Sequence, residues 1–416
     1  MVEGPVGATG GGAGDSVPDP LGSDTYLSGR VAPDVDWAAR AAAAERAVVR
    51  RHLRRLAGIV PGTRIGRIRW PRLPPVKPWP WHYWWQAHLL DCLVDAQLRS
   101  PRPERADTIA AVARTVRLRN LGSWTNDYYD DVAWFGLAVQ RAGTLARRSA
   151  RPALGAITLQ LRTGWSTDGG GGIWWRRGDD FKNAPANGPA AILLARGGHV
   201  ALAGSIADWV HDTLLDPATG LVRDGVRVRP DGAVRAVEGT TYTYCQGVHL
   251  GACVALAEVD GSPGAERWAA RAAALLDAVD ANMVGSDGVV PGYDDGGDGG
   301  LFNGILARYL ALVATTLPQN SPEDEQARDA ARTLVLKSAQ SAWDNRQTVD
   351  GLPLFAAFWD RTAQIPGAAG KEAEFVEGAV NASEVPERDL SVQLSAWMLM
   401  EAAHTVSDEA GESEEA

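Results

Sequence analysis

The chain has 416 residues, 45% of them hydrophobic, and a formal net charge of −10 at pH 7. That apolar content excludes global disorder, and the negative balance argues against nucleic acid or an anionic membrane as a main partner. A neutral ligand fits better, and tryptophan is over-used at 16 residues against 6 Phe and 8 Tyr.

Residues 1–30 are rich in Gly, Pro and Asp and read as disordered, as does the acidic stretch 407–416. The interval 31–406 reads as one domain. The N-terminus shows no basic start and no apolar run of signal-peptide length, so a cytoplasmic protein is expected. No apolar stretch approaches a membrane span.

From there the apolar spacing predicts about twelve helices, near 33–58, 81–98, 104–118, 127–148, 150–164, 184–198, 199–215, 242–259, 265–283, 300–316, 323–342 and 388–405. Strand-like alternation is confined to short pieces such as Leu221 to Val237. Ser262-Pro263 and Ser321-Pro322 each place a capping Ser before a Pro at the first helical position, and Asp324 completes a capping-box-like pattern. Odd-numbered helices carry many charges. Even-numbered ones are less charged and open on aromatic-polar text, as in Trp81-His82-Tyr83-Trp84-Trp85-Gln86. Such alternation suits an all-α (α/α)6 barrel, six inner helices inside six outer ones, with the inner starts converging at one end.

The fourth segment opens Asp127-Tyr128-Tyr129-Asp130-Asp131-Val132-Ala133-Trp134. Acids in a first helical turn complement the helix dipole, which accounts for one aspartate better than for two. Burying two carboxylates among aromatics costs hydration and suggests a use. Adjacent helical side chains diverge by about 100°, so both can face one cleft, and their proximity favours a retaining over an inverting sugar hydrolase. Asp130 and Asp131 are therefore the candidate catalytic pair. Asp127, Tyr128 and Trp134 flank them as candidate substrate contacts.

Further aromatic-polar runs follow. Gly169-Gly170-Gly171-Gly172 precedes Trp174 and Trp175, one or both of which are expected to line the cleft and stack on sugar. This glycine run lacks the Lys-Ser/Thr of a phosphate loop and reads as a tight turn or a close backbone approach to a ligand. Lys182-Asn183-Ala184 leads to Asn187, and Tyr242-Thr243-Tyr244-Cys245-Gln246-Gly247 opens the eighth helix. Asn183, Asn187, Tyr242, Tyr244 and Gln246 could bind hydroxyls or could cap helices.

Three of these runs, Tyr128 to Trp134, Gly172 to Ala184 and Tyr242 to Gly247, resemble glycoside hydrolase family 76 in order and spacing. The resemblance runs from about Trp81 to Trp397. It implies an (α/α)6 barrel and endo-acting α-1,6-mannanase activity; no cofactor is expected. It also implies a retaining mechanism in which the first aspartate, Asp130, is the nucleophile and the second, Asp131, the acid/base. The chain departs from that pattern at Cys245, where the family usually has Asn, and at Asn303, where Lys is common.

Asp298 opens the tenth segment and is a further candidate sugar contact. Its surroundings, Asp294 to Gly300, fail the spacing of a calcium loop and otherwise read as flexible. Cys92, Cys245 and Cys253 have no metal-type spacing and read as reduced core residues. The histidines show no ligand spacing, so no metal is expected. A monomer acting on an α-mannoside is the leading expectation. A non-catalytic glycan-binding barrel would not need both aspartates. A prenyl-chain enzyme holding Mg²⁺ would want another carboxylate about one turn on, where Trp134 and Phe135 stand.

Overall fold

Six helices packed side by side make the inner wall of the molecule. In chain order they are α2 (Tyr83–Arg99), α4 (Tyr129–Gly143), α6 (Ala184–Arg196), α8 (Thr243–Val259), α10 (Phe302–Thr316) and α12 (Leu390–Glu415). Each touches the next, and α12 packs back on α2, so the ring closes. The outer helices are α1 (Trp37–Arg51), α3 (Pro103–Arg119), α5 (Arg151–Gly164), α7 (Val200–Leu214), α9 (Gly264–Met283) and α11 (Pro322–Asp344). The computed structural model describes residues 35–73, 81–143, 150–259, 261, 264–292, 296–376 and 378–415. The disordered segment expected over 1–30 and the Ser262-Pro263 start lie outside the described residues.

Burial explains the alternation of charge. Every residue of α6 from Ala184 to Ala195 is buried, whereas α3 buries one stripe that includes Arg105, Ile109, Val112 and Val116. That i, i+4, i+7 spacing belongs to a helix with one face on a core. Inner helices approach closely at glycines. A Cβ on Gly188 would lie 2.4 Å from Val248, and one on Gly304 would lie 2.5 Å from the Ser395 Cα. Any larger residue at either site must push two inner helices apart.

The capping expected at α11 is present. Ser321 Oγ accepts from Asp324 N at 3.1 Å, and Asp324 accepts from Asn320 N at 3.2 Å. The first helix ends earlier than expected, at Arg51, because Leu53–Arg54 pairs with Ile65–Gly66 as a short ribbon. The last helix continues to Glu415, through the acidic stretch 407–416 that composition reads as disordered. Glu and Ala have high intrinsic helix propensity. The expected strand region forms a hairpin, Gly225–Val228 with Val234–Glu238, joined by Phe181–Asn183 at its other edge.

Four inner helices share one device. At the fourth residue of each, a side-chain amide both accepts from and donates to one residue of an incoming loop. Gln86 clamps Gly66 (2.7 and 3.0 Å), Asn187 clamps Ile173 (2.7 and 2.9 Å), Gln246 clamps Val222 (2.7 and 2.8 Å) and Gln393 clamps Phe355 (3.2 and 2.9 Å). The amide imitates a strand neighbour, satisfying backbone groups that would otherwise be buried unpaired. Asn187→Leu, which keeps the branched shape of the side chain and removes the clamp, is expected to cost about 2–4 kcal/mol from two orphaned backbone groups. Urea denaturation measures that loss; a change below 1 kcal/mol would contradict it.

Candidate active site

The N-terminal ends of α2, α4, α6, α8 and α10 line a cleft with a cavity volume of about 600 Å³. Asp130 and Asp131 occupy the first turn of α4 on its wall. Three local features aim them. Tyr128 N donates to Asn126 Oδ1 at 2.9 Å, which turns the chain into the helix. Tyr129 N donates to Trp175 O at 2.9 Å, which ties that start to the glycine-rich loop. The Trp175 indole then donates to Asp130 Oδ2 at 2.9 Å.

The two carboxyls sit in different electrostatic surroundings. Asp130 accepts from Trp175 and from the Asp131 backbone N–H at 2.8 Å. Burial still pushes its pKa up to about 6; these donors oppose the rise and the Asp298 charge adds to it. Asp131 has one side-chain donor, Asn126 Nδ2 at 2.6 Å. It is held well above the usual carboxylate range, by burial first and the Asp130 charge second. The pair titrates as a unit. Hydrogen-bond donation is greater to Asp130, which favours charge on that carboxyl over Asp131.

Two more carboxyls face the same cleft. Asp298 accepts from both Trp84 and Trp85 indoles, at 3.0 and 2.8 Å, and from Val380 N at 2.7 Å; burial raises its pKa to about 6. It is anchored at a cleft wall, which corrects the flexible-loop expectation for this residue; 293–295 lie outside the described residues. Asp224 went unnoticed in the sequence, where Leu221 to Val237 reads only as strand. It precedes the hairpin, lies 3.8 Å from the Cys245 thiol, and is raised to about 7 by burial, then by Glu238 and Asp130. Cys245 thus falls beside a cleft carboxyl. Among the described residues no group of three His, Cys, Asp or Glu converges as a metal site.

Of the other candidates, Asp127, Tyr128, Trp134, Trp175, Asn183, Tyr242 and Tyr244 line the cleft. Tyr244 stacks on Phe302 with ring centroids 3.9 Å apart. Asn183 also caps α6, accepting from Ala186 N. Three candidates lie elsewhere. Asn187 and Gln246 are fully buried backbone clamps. Trp174 does not line the cleft; its ring covers the Lys182 ammonium at 4.4 Å.

That lysine explains the glycine run. Lys182 is fully buried, and its ammonium donates to the carbonyls of Ser166, Asp168, Gly171 and Gly172 and to the Ser166 hydroxyl. Gly172 has φ 83°, and a Cβ there would meet Trp209 at 2.6 Å. The loop therefore wraps a cation and packs on the core, which is the tight-turn alternative rather than an approach of backbone to ligand. Its effect on the site is indirect, because it presents Trp175 to Asp130.

Raised carboxyls carry a stability cost with a definite pH sign. In the folded state Asp224 binds its proton more tightly than the ordinary value of 3.8. Stability from this group is therefore full below about pH 4 and is lost as pH rises through about 7. Asp224→Asn is expected to raise the melting temperature at pH 8 and to change it little at pH 4. The reverse ordering in paired thermal melts would contradict this.

The signature of glycosyl hydrolase family 76 matches residues 40–395. The chain belongs to that family and is a glycoside hydrolase on an (α/α)6 barrel. Among curated proteins it is similar to the mannan endo-1,6-alpha-mannosidase DCW1 of Candida glabrata. The two are 27% identical over 313 residues, covering 67% of this chain and 68% of that one. Among solved structures it is similar to the GH76A alpha-1,6-mannanase of Salegentibacter sp. HEL1_6, with TM-score 0.73, 27% identity, and coverage of 89% of this chain and 100% of that one. A further structure of that enzyme has TM-score 0.72, 26% identity and the same coverage. It is a variant inactivated by replacing two consecutive aspartates with alanine, in complex with alpha-1,6-mannotetrose.

Proposed function

We propose that the protein is a retaining endo-acting hydrolase of α-1,6-linked mannan or manno-oligosaccharides, with Asp130 as nucleophile and Asp131 as acid/base. The observation that carries the division of roles is the asymmetry of donors. Two hydrogen bonds stabilise charge on Asp130, while Asp131 has one and sits against that charge. Supporting the substrate are the α-1,6-mannan specificity named for the Candida and Salegentibacter proteins and the inactivation of the latter at consecutive aspartates.

In the first step an Asp130 oxygen forms a bond to the anomeric carbon as the glycosidic C–O bond breaks. The Asp131 proton passes to the departing oxygen. Water then enters, Asp131 takes its proton, and the hydroxide equivalent displaces Asp130 with a second inversion, giving net retention. Tyr244 stacked on Phe302, together with Trp175 and Trp134, supplies aromatic surface for the sugar faces, and Asp224 and Asp298 accept from its hydroxyls. The free enzyme requires Asp130 ionised, so kcat/KM is expected to fall on the acid side of about pH 6 and on the alkaline side as Asp131 loses its proton. Incubation with α-1,6-manno-oligosaccharides of graded length tests the reading. Internal cleavage is expected, whereas inertness toward the whole series, or release of mannose from chain ends alone, would refute it.

A further inference from the structure

Between Glu45 and Asp91 the chain contains no acidic residue and nine arginines, in a protein whose overall charge is −10. Two of these arginines are accounted for by packing. Arg51 donates to the carbonyls of Val349, Leu352 and Pro353. Arg69 pairs with Glu372 at 2.9 Å. Three others, Arg54, Arg67 and Arg72, surround a small concavity with Arg119 of α3 and the Trp81 ring. The guanidinium of Arg119 lies 5.4 Å over that ring.

Among the described residues no carboxylate pairs with Arg54, Arg67 or Arg72. All three are half-buried rather than projecting. The Arg67 guanidinium is held below its usual value by burial first and then by the charges of Arg54 and Arg72. Like charges kept close without a counter-charge are destabilising unless an anion is meant to join them. Planar guanidiniums converging from several elements match the oxygens of a phosphate ester.

The concavity adjoins the catalytic cleft. Trp81 lines both. Its ring lies 6.0 Å from Tyr83, whose own pKa is raised by burial and then by the charge of Asp131. The arginines and the cleft thus share one aromatic wall.

We propose that Arg54, Arg67, Arg72 and Arg119 form an anion subsite beside Trp81 that binds a phosphate ester carried by the glycan substrate. The proposal rests on the mannan-hydrolase reading for its substrate, although the site itself can be read without activity. A generic anionic surface is a poorer occupant, because the cluster is concave, shares the Trp81 wall with the cleft, and is set in a chain of net negative charge.

The test compares neutral α-1,6-mannotetraose with the same sugar bearing a terminal phosphate monoester or a methyl phosphodiester. For the wild-type protein at low salt, kcat/KM is expected to be at least tenfold higher on the phosphorylated sugars, with the difference in KM and shrinking as salt rises. In Arg67→Ala/Arg72→Ala the preference is expected to vanish while neutral tetraose is cleaved within about twofold of wild type. The Lys/Lys variant is expected to regain part of it, which separates lost charge from lost fold. Equal rates on neutral and phosphorylated sugars, or a preference that survives in the Ala/Ala variant, would overturn the subsite. So would loss of binding to phosphatidylserine vesicles in that variant without any phosphate preference, since the arginines would then serve a membrane. If no mannoside is cleaved, titration with phenyl phosphate followed by ³¹P NMR still reads the site. Saturable binding lost in the Ala/Ala variant supports it, and absence of binding in the wild type refutes it.

Discussion

Asp130→Asn is expected to lower turnover of α-1,6-mannotetraose and of activated aryl α-mannosides alike, by at least about 10⁴-fold. The amide keeps the size of the side chain and can still accept from the Trp175 indole, so the cleft should remain assembled. What is lost is the oxygen that bonds to the anomeric carbon, and no leaving group, however good, replaces it. The effect must therefore be uniform across substrates. Removing a carboxyl whose pKa stands at about 6 also relieves a burial cost near neutral pH. The variant should be no less stable than wild type at pH 7. An inactive variant that also melts well below wild type would point to a structural role instead.

Asp131→Asn is expected to split by substrate. On mannotetraose, whose departing sugar needs a proton, turnover should fall by roughly 10²–10⁴-fold. On an aryl mannoside with a good leaving group the first step needs little protonation, so the glycosyl-enzyme should form and then accumulate, because water lacks its base. Azide, which needs no base, should restore turnover and give a glycosyl azide of retained configuration. The pH profile should also lose its alkaline limb, since the group whose deprotonation causes it has gone. Equal losses on both substrates, with no response to azide, would remove Asp131 from the acid/base role.

Much of the frame was legible because inner and outer helices obey different burial rules. A helix such as α6 cannot afford charge on any side, whereas α3 can keep it on most of its surface. The end of α1 differs from the expectation: the text after Arg51, Leu53-Arg54-Arg55-Leu56-Ala57, has helical propensity, and only pairing with Ile65–Gly66 stops it. Asp130 and Asp131 stood out as adjacent acids in an aromatic run, a pattern that burial makes costly unless used. Asn187 and Gln246 were ambiguous for a plain reason. An amide that clamps a loop and an amide that holds a sugar hydroxyl present the same letter at the same helical position. Asp224 was hidden for another: its place in the cleft depends on the segment before the hairpin meeting the start of α6, where Ala184 N donates to Asp224 O, and Cys245 of α8, which no local spacing reports. Trp174 and Trp175 are neighbours whose rings diverge, one onto Lys182 and the other into the cleft.

The configuration of the first-formed product is the most direct test of the central claim. Wild-type protein is added to α-1,6-mannotetraose at pH 7 and the anomeric protons are followed by NMR from the earliest scans. Two displacements at one carbon, by Asp130 and then by water, require the new reducing end to appear as the α-anomer and only later to mutarotate. A β-anomer appearing first would mean a single displacement by water and would contradict the assignment of Asp130 as nucleophile.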